Sequence, residues 1–315
     1  MDSPKAAGRQ IIIVMGALFF ISSHFVRAAS AQAGCVPNCV SILDLAGPQA
    51  AEDLRGLANL VRDRVKAAET GKEKLDILNH FFFDGLRFEV EEGTGSIDGL
   101  LPSRVLPRRR GTCVGLSGVY LALGDLLDMP LAAVSTPTHI FVRFNDGHAS
   151  INVELLQAGK MFDDDWYVYN HKIPESSISS GVFLKSLSER DFLGYVYSNL
   201  GALYSKIGDF SNSQVLYKAA LRNIRRLPTA YYNLGNDLLA QARYRQALHA
   251  FDRALDLYPI DIFALNNRGI ALCKLGKTRR AHKDFQTALD LNPSFAQARS
   301  NLSEMRCDGS SEYKH

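Results

Sequence analysis

The sequence predicts an α+β domain over residues 41–190, followed by an all-α solenoid of paired helices over residues 194–306. In the first part, helical patterns precede two short β-prone runs, an order that is typical of α+β domains. In the second part, small, aromatic and proline residues recur every 34 residues, as expected when each unit is one helical hairpin. A length of 315 residues accommodates both domains.

The repeat is carried by residues of complementary size. Gly201, Gly235 and Gly269 are 34 residues apart, and the same spacing relates three further sets: Tyr217, Phe251 and Phe285; Ala220, Ala254 and Ala288; Pro259 and Pro293. Small residues let two helices approach, aromatics fill the gap, and proline ends the second helix. This is the tetratricopeptide pattern, and it predicts three repeats, a capping helix and a tail over 307–315.

Three helical patterns and two strand patterns organise the first domain. Apolar residues have helical spacing in 51–70, 73–88 and 116–127, and the second of these patterns is rich in phenylalanine. Two β-prone runs follow, 139–144 and 151–154. The aromatic residues are interpreted as core.

Cys113 stands directly before the third helical pattern, where the positive end of a helix dipole favours a thiolate. Three arginines, 108–110, precede it, and their charge is expected to favour the thiolate as well. His139 opens the first β-prone run, and Glu154 closes the second. Thiol-based acyl transfer needs such a set, since a base must deprotonate the thiol and an acid must orient the base. The alternative is that Cys113 is a small core residue and His139 a structural one.

The segment 108–117, together with 137–143 and 152–154, resembles the transglutaminase-like superfamily. More closely, the chain is similar to bacterial proteins that join such a domain to tetratricopeptide repeats, over roughly residues 50–305. The resemblance implies a papain-like triad of Cys113, His139 and Glu154, in which the third member is more commonly aspartate. The additional β-domains of animal transglutaminases are absent from the sequence.

The repeats are expected to bind a protein or peptide on the concave face of their first helices. Five residues are expected to contact the partner there: Tyr232, Asn233, Asn236, Phe263 and Asn266. The same interpretation places Tyr195 and Ser198 on this face. A solvated surface, or one packed on the first domain, is the alternative.

Residues 1–33 read as a secretory signal, with a positive start, an apolar core from Ile11 to Ile21, and cleavage expected after Ala31 or Ala33. An exported, periplasmic protein is therefore expected. The alternative is an inner-membrane anchor, which would be the only membrane contact. An odd count of five cysteines suggests one free thiol, and Cys35 and Cys39 could close a small loop.

Composition excludes several classes of function. The formal net charge is +3, and most of it lies in the leader, so nothing indicates nucleic-acid binding. No spaced metal-ligand set and no glycine-rich phosphate loop occurs, so neither a metal nor a cofactor is expected.

The leading hypothesis is an exported cysteine hydrolase or transamidase acting on amides, whose repeats recruit a protein or peptide. The alternative is a non-catalytic periplasmic adaptor acting through its repeats.

Overall fold

The first domain begins with three helices and a short π-helical segment. The computed structural model describes residues 41–91 and 95–308. Its first helices are α1 (Ile42–Asn59), α2 (Arg62–Ala67) and α3 (Gly71–Asn79), followed by a π-helical segment (His80–Gly85). Two short parallel strands, β1 (Glu89–Val90) and β2 (Arg110–Gly111), flank α4 (Pro102–Arg108).

A buried helix and a four-stranded antiparallel sheet form the centre of this domain. The helix is α5 (Cys113–Leu126), and the strands, in spatial order, are β3 (Leu131–Ser135), β4 (Ile140–Asn145), β5 (Ser150–Glu154) and β6 (Lys160–Phe162). A 3-10 turn (Leu155–Gln157) joins β5 to β6, and α6 (Asp164–His171) and α7 (Glu175–Ser179) follow the sheet. Nearly every residue of α5 is buried, which explains its continuous apolar sequence.

The second domain is a succession of helical pairs and matches the expected solenoid. The pairs are α8 (Glu189–Lys206) with α9 (Phe210–Asn223), α10 (Pro228–Ala240) with α11 (Tyr244–Leu257), and α12 (Ile262–Lys274) with α13 (Thr278–Leu291); α14 (Ala296–Asp308) ends the stack. A Cβ at Gly235 would lie 2.6 Å from the Phe251 ring, so the recurring glycine is required by the recurring aromatic.

The predicted fold class, α+β followed by paired helices, is confirmed, with local differences. The helix expected over 51–70 starts at Ile42 and is interrupted after Asn59. Strands β3 and β6 were not predicted. The leader, the Cys35–Cys39 pair and the tail beyond 308 lie outside the described residues.

Helix α8 belongs to the cores of both domains. Phe192, Tyr195 and Leu200 on α8 are buried in the same cluster as the α5 side chains. The backbone just before α8 also extends the sheet, since the Leu187 amide donates to the Ala133 carbonyl at 2.8 Å. Tyr195 is consequently buried, as is Ser198, so the expectation that these two residues face a partner is wrong.

Candidate active site

Cys113 is the first residue of α5, and its position is held by the loop before the helix. The Thr112 side chain caps the helix by accepting a hydrogen bond from the Gly115 amide at 3.3 Å. The Thr112 amide and hydroxyl both donate to the Gly99 carbonyl, at 2.8 and 3.0 Å. Cys113 is partly exposed and is a thiol.

The arginines at 108–110 are directed elsewhere. Their side chains bond to the segment from Leu86 to Glu91, through two backbone carbonyls and the Glu91 carboxylate. The expectation that they influence the Cys113 thiol directly is therefore wrong. The helix dipole still favours a thiolate at this position, because Cys113 lies at the amino end of α5.

His139 lies at the tight turn that leads into β4, and Glu154 ends the neighbouring strand β5. The Thr136 amide donates to the His139 carbonyl at 2.8 Å and closes this turn. The His139 Nε2 is 2.8 and 3.0 Å from the two carboxylate oxygens of Glu154. The carboxylate also accepts the Leu156 amide at 2.9 Å. Both side chains are buried, with 9% and 3% of their surface exposed.

The structure brings Cys113 and Glu154 to the same imidazole: Nε2 of His139 is hydrogen-bonded to Glu154, and the Cys113 side chain is close enough to raise the pKa of His139. Since Nε2 faces Glu154, Nδ1 is the ring nitrogen available to the Cys113 side chain. Burial lowers the pKa of His139, but the hydrogen bonds to Cys113 and Glu154 outweigh it and raise the pKa from 6.5 to about 9. The contacts with Cys113 and Glu154 therefore favour the protonated form of the His139 ring.

Two further residues of this site, both on α6, were not predicted from the sequence. The His171 ring stacks on the His139 ring, with centroids 5.7 Å apart and planes 9° from parallel. Burial first, and then the charge of His139, lower the pKa of His171, so it is the neutral ring of the pair. The Tyr167 hydroxyl is buried near Glu154 without a well-aligned hydrogen bond, and burial followed by the Glu154 charge raises its pKa.

The residues expected to bind a partner differ in their accessibility. Tyr232 packs near the Phe251 ring, and Asn233 and Asn236 are partly exposed. Phe263 has 52% of its surface exposed. Asn266, in contrast, is buried, and its side chain accepts a hydrogen bond from Asn301 at 2.8 Å. Its assignment to an accessible face is therefore wrong, because the last helix covers it.

Neither a metal site nor a membrane span is found in the described part of the chain. Within residues 41–91 and 95–308, no group of three or more His, Cys, Asp or Glu side chains is arranged to hold a metal. None of the helices in these ranges combines the length and apolar content that crossing a membrane requires.

Residues 48–194 match the family model of the transglutaminase-like superfamily. Residues 192–260 and 262–295 match two models of the tetratricopeptide repeat. These boundaries place the whole row Cys113–His139–Glu154 inside the first match.

Curated proteins of the UPF0162 group are similar to parts of the chain. The protein YchA of Escherichia coli (strain K12) is 28% identical over 182 residues, which are 55% of this chain and 65% of YchA. A UPF0162 protein of Buchnera aphidicola is 26% identical over 142 residues, 42% of this chain and 50% of its own length. The match thus spans between half and two thirds of these relatives.

Among solved structures, the Arabidopsis OM64 TPR domain is 22% identical with a TM-score of 0.37, and the match covers 38% of this chain and 98% of that domain.

Proposed function

Because the chain joins a transglutaminase-like domain to tetratricopeptide repeats, we propose that it is a cysteine-dependent acyl-transfer enzyme that acts on amide bonds. Cys113 is the nucleophile, His139 the general base and acid, and Glu154 the group that orients the imidazole. The single observation that carries the proposal is the placement of Cys113, at the start of a buried helix, and Glu154 beside one imidazole, that of His139.

The reaction starts from the thiolate and imidazolium. The sulfur attacks the amide carbon, and the negative charge that develops on the carbonyl oxygen is stabilised by backbone N–H groups at the amino end of α5. His139 then gives its proton to the leaving nitrogen, the C–N bond breaks, and a thioester on Cys113 remains. Water or an amine next attacks the thioester carbon and gives its proton to His139, which releases the acid or the new amide and restores the thiolate.

Hydrogen bonds to Glu154 favour the working form of the site and act against the effect of burial. Glu154 accepts hydrogen bonds from the Leu156 amide and from His139, so its carboxylate is held in a fixed position beside the ring. A carboxylate that contacts Nε2 fixes the orientation of the ring and stabilises the imidazolium. The site therefore requires no metal or cofactor for the steps above.

The proposal includes recruitment of a protein or peptide by the repeats, and export directed by residues 1–33. Export rests on the positive start, apolar core and small residues of that segment alone. N-terminal sequencing of the protein recovered from the producing cell tests it. A mature chain that starts after Ala31 or Ala33 supports export with cleavage, and an intact Met1 contradicts it.

Labelling with iodoacetamide at neutral pH tests the proposed nucleophile. Cys113 should react at least about tenfold faster than Cys273, since burial raises the pKa of the Cys273 thiol and His139 assists only Cys113. His139→Ala should slow the labelling of Cys113. The matched control is His148→Ala, which removes an exposed imidazole from a turn. Equal and slow labelling of both thiols would instead favour a non-catalytic adaptor.

A further inference from the structure

The two junctions between successive repeats differ at four equivalent positions. The first junction is formed by α8, α9 and α10, and the second by α10, α11 and α12. Four polar residues of the first junction correspond, 34 residues later, to apolar residues of the second: Ser205 to Leu239, Ser213 to Ala247, Tyr217 to Phe251 and Asp237 to Ala271. The apolar residues pack together, since three of them share one buried cluster and Leu239 packs against it. Packing of two repeats therefore does not require the polar residues of the first junction.

Asp237 of α10 is at the centre of the first junction. The Ser205 hydroxyl of α8 donates to one of its carboxylate oxygens, and the Ser213 hydroxyl of α9 donates to the other. Only 1% of the Asp237 surface is exposed. The carboxylate is thus bonded to both helices of the first repeat and is shielded from bulk water.

No charged side chain in the described part of the chain offsets the charge of Asp237. Burial raises its pKa, and the hydroxyls of Ser205 and Ser213, which lower it, are the only other causes. Lys206 on α8 lines the neighbouring cavity and does not shift the pKa of Asp237. On α9 the titratable neighbour is Tyr217, whose pKa is raised by burial first and then by Asp237. Ionisation of Asp237 is therefore costly while the junction is closed.

The neighbouring cavity gives water a route to the carboxylate. It has a volume of about 360 Å³, and Ser205 and Tyr217 line it. A water molecule takes up about 30 Å³ in the liquid, so this space is large enough for several. If α10 moves away from Ser205, the carboxylate becomes exposed to the cavity, and hydration then stabilises its charge.

We propose that the first junction is a pH-responsive contact, which is closed when Asp237 is protonated and loosens when Asp237 is charged, while the second junction does not respond. Burial raises the pKa of Asp237 above its ordinary value of 3.8, so the stabilisation of the closed form is complete below 3.8. It is lost as the pH rises through the raised pKa. This inference does not depend on the chemistry of Cys113.

The loosening is local to α10. The Ser177 hydroxyl of the first domain donates to the Leu257 carbonyl at 3.1 Å, at the end of α11. The Phe183 and Tyr258 rings also meet edge to face, with centroids 5.3 Å apart. The second repeat thus stays attached to the first domain when α10 moves. Local opening is therefore the quantity to measure, rather than separation of the domains.

Amide hydrogen exchange of the full chain, read by mass spectrometry at about pH 4.5 and 8, measures this opening. Protection factors remove the intrinsic effect of pH on exchange, and α12, which carries Ala271, is the reference within the same molecule. The protection of α10 relative to α12 should fall by at least about fivefold from the lower to the higher pH. In Asp237→Asn, which keeps the shape and removes the charge, this ratio should be the same at both pH values.

The matched control is Asp256→Asn, which removes an exposed carboxylate from α11 and should respond to pH as the parent does. A fourfold variant, Ser205→Leu, Ser213→Ala, Tyr217→Phe and Asp237→Ala, copies the second junction and should lose the response. Three results would overturn the inference: α10 and α12 respond equally in the parent, the response persists in Asp237→Asn, or it persists in the fourfold variant. If the fourfold variant does not fold, the parent and Asp237→Asn still decide the question.

Discussion

The pKa of His139 provides the sharpest test of the site, and the change that probes it is Glu154→Gln. Glutamine has nearly the same shape, and its side-chain oxygen can still accept the Leu156 amide, but it carries no charge. The pKa of His139 rises from 6.5 to about 9 because hydrogen bonds to Cys113 and Glu154 overcome the effect of burial. Removing the charge of Glu154 should therefore lower this pKa.

The magnitude follows from the size of the shift. A rise from 6.5 to about 9 corresponds to about 3 kcal/mol in favour of the imidazolium. Cys113 and Glu154 share this stabilisation, so Glu154→Gln should lower the pKa by roughly one unit or more. In Cys113→Ala with Glu154→Gln, only burial remains, and burial places the pKa of His139 below 6.5.

Nuclear magnetic resonance of the ring protons, followed as a function of pH, measures these values directly. Because the pKa in the folded chain lies above that in the unfolded chain, the stabilisation is complete below pH 6.5 and is lost as the pH rises through about 9. Urea unfolding should accordingly show a loss of about 3 kcal/mol over that window, and less in Glu154→Gln. A His139 that titrates near 6.5 in the parent chain, unchanged in both variants, refutes the reasoning.

Three other outcomes are expected from the structure. His171→Phe should keep the labelling rate of Cys113, whereas His171→Ala should reduce it roughly two- to tenfold, as expected if the lost ring contact is worth about 0.5–1.5 kcal/mol. Gly115→Ala should lower the free energy of urea unfolding by about 1–3 kcal/mol, because its Cβ would lie 2.1 Å from the Gly99 carbonyl oxygen, while Gly56→Ala meets no atom within 4 Å and should not. Removing residues 228–315 should lower the melting temperature of the first domain, since side chains of the second repeat pack against it.

The sequence was most informative where one physical constraint recurs. Each repeat packs a glycine against an aromatic ring: a Cβ at Gly269 would lie 2.6 Å from the Phe285 ring, so both residue types recur with the same period. The amino end of α5 was also predictable, because a turn residue, a cysteine and an uninterrupted apolar run coincide there. These are local signals, and they do not depend on how the domains are arranged.

Features that depend on contacts between residues distant in sequence could not be predicted from such local patterns. Strand β6 has only three residues, which is too short for a strand pattern to be recognised in the sequence. It forms because it pairs with β5. His171 reaches His139 only because α6 folds back across the sheet, and no spacing in the sequence reports that approach. Asn266 has the spacing of a concave-face residue, but the helix that covers it comes 30 residues later.

Helix α8 belongs both to the core of the first domain and to the first repeat. Its buried face completes the core around α5, while its other residues, Asn199 and Lys206 among them, line a cavity between the two domains. The opposite wall of that cavity includes Thr112, whose side chain holds the first turn of the Cys113 helix. The residue next to the proposed nucleophile and the first repeat therefore line the same cavity. A truncation that separates the two domains must consequently keep α8 with the first domain, because the side chains of α8 complete the core around α5.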